Sequence, residues 1–231
     1  MAVIHRTTIT PTKLELLAAW LPTRAWYVPT GAAPALSRTG GFRLDDPEGE
    51  VGMEFMVVTD DSGDGSPVTY HIPLSYRGAP LDGDSGTEKG ALIGTAEHGV
   101  LGRRWIYDGT GDPVVVAQVL ALLRGDAEPQ AQSLSNTPDR SVTRHGTDVV
   151  PPAATGEGAG GVGAGGFTVA DGPDGTRIAV PAAEGGLTLT VHRVLEPAPP
   201  TAAHACVTAP WCLPDGTEHR APFFTLGTSG Q

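Results

Sequence analysis

From Val68 to Arg77 the chain alternates strictly between apolar and polar positions. Val68, Tyr70, Ile72, Leu74 and Tyr76 fall on one side, and Thr69, His71, Pro73, Ser75 and Arg77 on the other. A period of two sets the side chains of a half-buried β-strand on opposite faces, so the chain must build a sheet around this segment. Pro73 has no N–H to give to a ladder and predicts an edge or a bulge at that point. Arg103-Arg104-Trp105-Ile106-Tyr107-Asp108 predicts a second strand, with two aromatic rings and two guanidinium groups. The chain holds 32 Gly and 21 Pro, which favours short strands joined by many turns.

The remaining elements follow from local signals. Thr12 and Glu15 form a capping-box pattern ahead of Leu14, Leu16, Leu17, Trp20 and Leu21, and Pro22 ends the helix. Trp20, Trp26 and Tyr27 are expected in the core, followed by a Pro/Gly/Ala loop as far as Gly41. Met53–Asp60 is rich in β-formers, and the polar Asp60–Ser66 stretch turns it into the Val68 strand. Ala91–Ala96 is a short apolar run, and Gly99 and Gly102 bracket a turn before Arg103. Asp112-Pro113 opens a second helix, Val114–Leu123 is apolar nearly all round, and Arg124-Gly125 closes it.

Residues 1–132 therefore read as one α+β domain. Residues 133–150 are a polar connection with one strand near Val142, and residues 151–166 a Gly/Pro-rich flexible linker. Residues 167–231 form a small β-rich region with strands at Phe167–Val169, Ile178–Val180 and Leu187–Val194. A last hairpin is expected around Pro214-Asp215-Gly216.

Several function classes are disfavoured by composition. A net charge of −11 with no basic run gives no footprint for nucleic acid. No stretch has the roughly 20 apolar residues of a membrane span, and MAVIHRTTIT lacks the pattern of a secretory signal. Two cysteines do not make a disulfide framework. A cytoplasmic protein is expected.

No metal or cofactor is assigned. Asp60, Ser62, Asp64 and Gly65 imitate half a calcium loop, but His71 stands where the bidentate Glu belongs. His204, Cys206, Cys212 and His219 are separated by one, five and six residues and lack zinc-ligand spacing. The glycine-rich segment has no Gly-Lys-Ser/Thr ending for a phosphate.

The binding candidates are Glu97, His98, Arg103, Arg104, Trp105, Tyr107 and Asp108, with Arg77 on the neighbouring strand. Alternation puts Arg103, Trp105 and Tyr107 on one face and Arg104 and Ile106 on the other. Guanidinium groups beside rings suit a carboxylate, a phosphate or the hydroxyl edge of a sugar. The competing reading stacks each arginine on a neighbouring ring and pairs it with Glu97 or Asp108. No residue is assigned a catalytic role.

The order Thr23-Arg24-Ala25-Trp26-Tyr27, YHIPLSYRG (70–78), LIGTAEHGVLGRRWIYDG (92–109) and DPVVVAQVLALL (112–123) resembles the N-terminal cap domain of actinobacterial maltokinases. It is more similar still to stand-alone relatives of that cap labelled 1,4-alpha-glucan branching proteins. The resemblance covers roughly residues 1–150. It implies a curved, cystatin-like antiparallel sheet with two helices, followed here by a mostly β, partial kinase-like N-lobe. Leu187–Pro197 is similar to the kinase strand that carries the phosphate-binding lysine, and Thr190 stands in its place. The His-Gly-Asp-x-His and Asp-Phe-Glu type motifs are absent; His145-Gly146-Thr147-Asp148 is the nearest string.

The function expected on these grounds is a non-catalytic accessory protein of α-glucan, maltose or trehalose metabolism that binds a partner enzyme or a glucan. The alternatives are an enzyme of the same pathway (glucan branching or sugar/maltose phosphotransfer, with or without a partner that completes it) and a carbohydrate-binding module.

Overall fold

The computed structural model describes residues 8–81, 92–146, 166–181, 186–199 and 205–228. The linker expected at 151–166 lies outside these residues except for Gly166, as does His204. The described part is mostly antiparallel sheet with two α-helices, an α+β arrangement.

Strand β1 (Ile9–Thr10) precedes helix α1 (Lys13–Trp20). The capping box closes as expected: Thr12 Oγ1 accepts from the Glu15 amide at 3.3 Å, and the Thr12 amide donates to Glu15 Oε2 at 2.7 Å. A single 3₁₀ turn, Leu21–Thr23, with Pro22 inside it, ends the helix.

Strand β2 runs from Leu36 to Leu44, where the sequence suggests a loop to Gly41. Ser37, Gly40 and Gly41 are weak strand formers, so pairing along β3 (Gly52–Asp60) overrides local preference here. The two glycines are needed for close approach. A Cβ on Gly40 would lie 2.9 Å from Trp211 Cβ, and Gly41, at φ +129°, would place one 2.3 Å from the Phe55 carbonyl. No periodicity argument registers that requirement.

Strands β4 (Val68–Arg77), β5 (Leu92–His98) and β6 (Gly102–Asp108) complete the N-terminal meander, and helix α2 (Pro113–Arg124) follows. Asp112 caps α2 by accepting from the Val114 amide at 3.0 Å, and Gly125 ends it at φ +95°. Short strands β7 (Gln130–Ala131) and β8 (Thr143–His145) pair with β2 and with β12. The C-terminal strands are β9 (Thr168–Gly172), β10 (Gly175–Pro181), β11 (Gly186–Val191), β12 (Ala205–Cys212) and β13 (Glu218–Thr228).

Along the sheet the order is β1-β5-β6-β4-β3-β2-β12-β13-β11-β10-β9. The contact between β2 and β12 is a single pair, Gly40 with Trp211. Past β11 the chain returns to β4: the His71 amide donates to the Arg193 carbonyl at 2.9 Å, the Leu195 amide to the Thr69 carbonyl at 2.8 Å, and Tyr70 bridges to Val194. Strands β4, β3, β2, β12, β13 and β11 thus form a closed circuit. On the same edge of β4, β6 pairs with Leu74–Arg77. Pro73 falls in the gap between the two partners, where a missing N–H leaves no ladder bond unmade.

Two apolar cores result. On one face Phe42, Phe55 and Val57 meet Phe223, Phe224 and the buried side of α2, including Val115, Val119 and Leu122. On the other face Leu17, Trp20 and Leu21 pack with Trp26 over Met56, Tyr70, Ile72 and Ile106. Trp20 and Trp26 are thus core residues, and Tyr27 stacks on buried Tyr70 at 5.9 Å.

Candidate functional site

The β5–β6 hairpin extends beyond the closed circuit. Its register pairs Glu97 with Arg103, Ala96 with Arg104, Thr95 with Trp105 and Leu92 with Tyr107. Alternation then sets Glu97, Arg103, Thr95 and Trp105 on one face, and a register shift between Leu92 and Gly94 brings Leu92 to it as well. Ala96 and Ile106 point to the other face, into the core under α1. Gly102 turns the chain at φ +69°. The turn is braced from both arms. His98 Nδ1 accepts from the Val100 and Leu101 amides at 3.3 and 3.0 Å, and Arg104 Nη2 donates to the Leu101 carbonyl at 2.9 Å. This leaves Val100 61% and Leu101 46% exposed on a fixed turn, and Leu92 is 41% exposed at the far end of the hairpin.

Arg103 lies over the Trp105 ring, 5.5 Å from its centroid, and makes a long 3.4 Å contact with Thr95 Oγ1. Glu97 is directly across the ladder from Arg103, yet among the described residues the two form no ion pair. The face of the tryptophan is covered by its own arginine.

Three of the eight sequence candidates serve the interior instead. Tyr107 is buried and its hydroxyl accepts from the Leu81 amide at 3.0 Å. Arg77 forks onto Asp112 through Nε at 2.7 Å and Nη2 at 2.6 Å, and that carboxylate raises the arginine above its ordinary range. Asp112 therefore holds an arginine and a helix N-terminus together. Asp108 accepts from Thr110 and from Arg193 and is out of reach of a ligand.

Arg193 and His71 were not among the sequence candidates. Arg193 is fully buried: Nη2 donates to Asp108 Oδ2 at 2.5 Å and to Thr110 Oγ1 at 3.2 Å, and Nε donates to Thr176 Oγ1 at 2.7 Å. Thr176 passes its own hydroxyl hydrogen to Asp171 at 2.5 Å, and the guanidinium stands 4.8 Å from the Trp26 ring centroid. His71 is also fully buried, with Nδ1 donating to the His192 carbonyl at 3.1 Å among Phe55, Phe223 and Phe224. Burial, and after it the charge of Arg193, pushes its pKa well below the usual histidine range. The ring is therefore neutral at pH 7. Arg193 ends an alternating strand and carries no local mark of burial; its partners are 85 and 17 residues away.

A second interior group joins α1 to the sheet. Glu54 accepts from Lys13 at 2.5 Å, Tyr76 at 2.7 Å and Gln132 at 2.8 Å. Burial alone raises its pKa most, but the three donors together outweigh it and the net direction is downward. A shallow cavity of about 460 Å³ opens between the Asp45–Pro47 turn and the end of α2. Its Asp46 already accepts from the Glu48, Glu50 and Val51 amides, and its Asp126 pairs with Arg124 at 2.7 Å.

Among the described residues no three His, Cys, Asp or Glu side chains converge as metal ligands. Asp60 accepts from the Ala35 and Ser62 amides and acts as a turn residue. Cys206 is buried and Cys212 exposed, and neither is in a disulfide. No described helix is long and apolar enough to cross a membrane.

Residues 20–112 match the family model of the maltokinase N-terminal cap domain. The match runs from Trp20 at the end of α1 to Asp112 at the cap of α2, and takes in the meander and the β5–β6 hairpin. No curated protein matches the chain.

Proposed function

We propose that this chain is a non-catalytic accessory protein of α-glucan, maltose or trehalose metabolism, working in the cytoplasm, that docks a partner through the β5–β6 hairpin. The matched cap domain supports the maltokinase-related setting. In this reading the meander is the curved, cystatin-like cap, and the C-terminal strands stand for a partial kinase N-lobe.

The observation that carries the reading is how the polar groups are divided. Asp108, Arg77, Glu54 and Arg193 are committed to buried partners, whereas Arg103 and Trp105 sit exposed or half-exposed on a braced hairpin with bare aliphatic residues at its tip. Thr190, at the position that the resemblance gives to the kinase lysine, is a neutral hydroxyl and cannot hold a phosphate as an ammonium does. Glycan stacking requires an open ring face, and Arg103 covers that of Trp105, so a partner protein fits this hairpin better than a glucan.

Calorimetry of the purified chain with ATP–Mg²⁺, maltose and glycogen tests this. The expected result is no heat of binding from any of them; ATP affinity of about 1 mM or tighter would overturn the non-catalytic reading. In pull-downs against purified glucan- and trehalose-metabolising enzymes, Arg103→Ala and Trp105→Ala are expected to lose the partner retained by the wild type. Retention by both variants would remove the hairpin from the proposal.

A further inference from the structure

We propose that the outer face of the β5–β6 hairpin docks a second copy of this chain across a two-fold axis running parallel to its strands. This rests on the reading of the hairpin as a docking surface and names its occupant. Glu97 and Arg103 stand opposite each other on adjacent strands, as do Thr95 and Trp105, and Leu92 and Tyr107. A rotation of a half-turn about an axis lying between β5 and β6 exchanges the two strands while keeping the level along them. Laid face to face in that way, Glu97 of one copy meets Arg103 of the other, and Arg103 meets the second Glu97. Thr95 faces the second Trp105 at the next level, whereas Tyr107, further along, is buried and takes no part. A surface that complements itself under a two-fold is what an isologous interface requires.

The energetics point the same way. Arg103 and Glu97 are both exposed and form no ion pair with each other, so docking breaks no ion pair between them; Arg103 has its stack on Trp105 and a 3.4 Å contact with Thr95. Val100 and Leu101 bring exposed aliphatic surface to the turn, at 61% and 46%, and Leu92 is 41% exposed at the far end of the hairpin. The turn is already held by His98 and Arg104, which lowers the ordering cost of docking. Few residues take part, so the contact falls below the roughly 800 Å² per partner of a standard interface and the dimer is a weak one. Each copy carries a net charge of −11; at 0.15 M salt the Debye length is about 8 Å, which screens that long-range repulsion more than the close pairs.

Sedimentation equilibrium at 0.15 M salt over concentrations up to about 1 mM tests the proposal with three proteins: wild type, Glu97→Arg and Arg103→Glu. Both substituted positions are exposed, and circular dichroism confirms that each variant folds. The wild type is expected to associate to twice its monomer mass. Each single variant, which would bring like charges together twice, is expected to weaken association about tenfold, the effect of about 1.4 kcal/mol. An equal mixture of the two variants restores wild-type association, because one copy then carries two arginines where the other carries two glutamates. A wild type that stays monomeric, single variants that associate as well as wild type, or a mixture that associates no better than its components would each overturn the two-fold. Should a variant fail to fold, Glu97→Gln and Arg103→Gln replace the pair, and loss of association in both is the expected result. A monomeric wild type leaves the docking of a different protein intact, since the pull-downs decide that separately.

Discussion

Arg193 and Asp108 lie 2.5 Å apart in the interior although 85 residues separate them. The aspartate ends the last strand of the meander, and the arginine sits where the chain leaves β11 to return along β4. Their ion pair therefore stands at the point where the circuit of strands closes.

Removing one partner leaves a buried charge unmatched. Arg193→Ala is expected to lower unfolding free energy by about 3–5 kcal/mol, read as a shift in urea midpoint with the m-value unchanged. Arg193→Met combined with Asp108→Leu is expected to cost less than either single change, because no isolated charge remains. A double variant as unstable as Arg193→Ala would mean that shape, not charge, dominates at this point.

His71 makes stability depend on pH in a defined direction. Its folded pKa is depressed, so the unfolded chain binds the proton more readily. The stabilising contribution is complete above the ordinary histidine value of about 6.5 and is lost as pH falls below it. His192 is lowered by burial in the same direction. Urea midpoints measured between about pH 7.5 and 5 should decline toward acid, and His71→Phe should flatten the decline more than His192→Gln. An unchanged slope in His71→Phe would assign the effect elsewhere.

The two arginines singled out on adjacent strands should separate cleanly in one experiment. Arg77→Ala strands the buried Asp112 carboxylate and is expected to destabilise by about 3 kcal/mol. Arg103→Ala, on exposed surface, is expected to stay within about 0.5 kcal/mol of wild type. Thermal denaturation of both variants checks the contrast.

Where a residue's surroundings are set by its near neighbours in sequence, the structure follows the pattern. The capping box of α1 and the Asp112-Pro113 opening and Gly125 stop of α2 appear where expected. Strand β4 forms where its alternation places it but is buried on both faces, not half-buried, because the core around Phe223 and Phe224 covers its polar side. The alternation within β6 that places Arg103 and Trp105 on one face is equally legible; its residue-by-residue pairing with β5 is not. What remained hidden depends on partners far away in sequence. Strand β2 is weak by composition and exists because β3 and Trp211 flank it. The commitment of Asp108 and Arg77 to the interior could not be read either: an exposed and a buried carboxylate carry the same letter, and Arg193 and Asp112 reveal the difference only after folding. Pro73 predicts an edge or a bulge, and occupies instead an interval between two partners on one edge of β4.

The closed circuit also sets an order of events during synthesis. Strands β2 to β4 leave the ribosome with Phe42, Phe55 and His71 on a face whose covering rings, Phe223 and Phe224, belong to the last strand. At about 5–20 residues per second that face waits on the order of ten seconds for its cover. During that interval the nascent meander is a sticky, half-made object, and a message broken before β13 would yield a fragment suited to chaperones and proteases rather than to any partner.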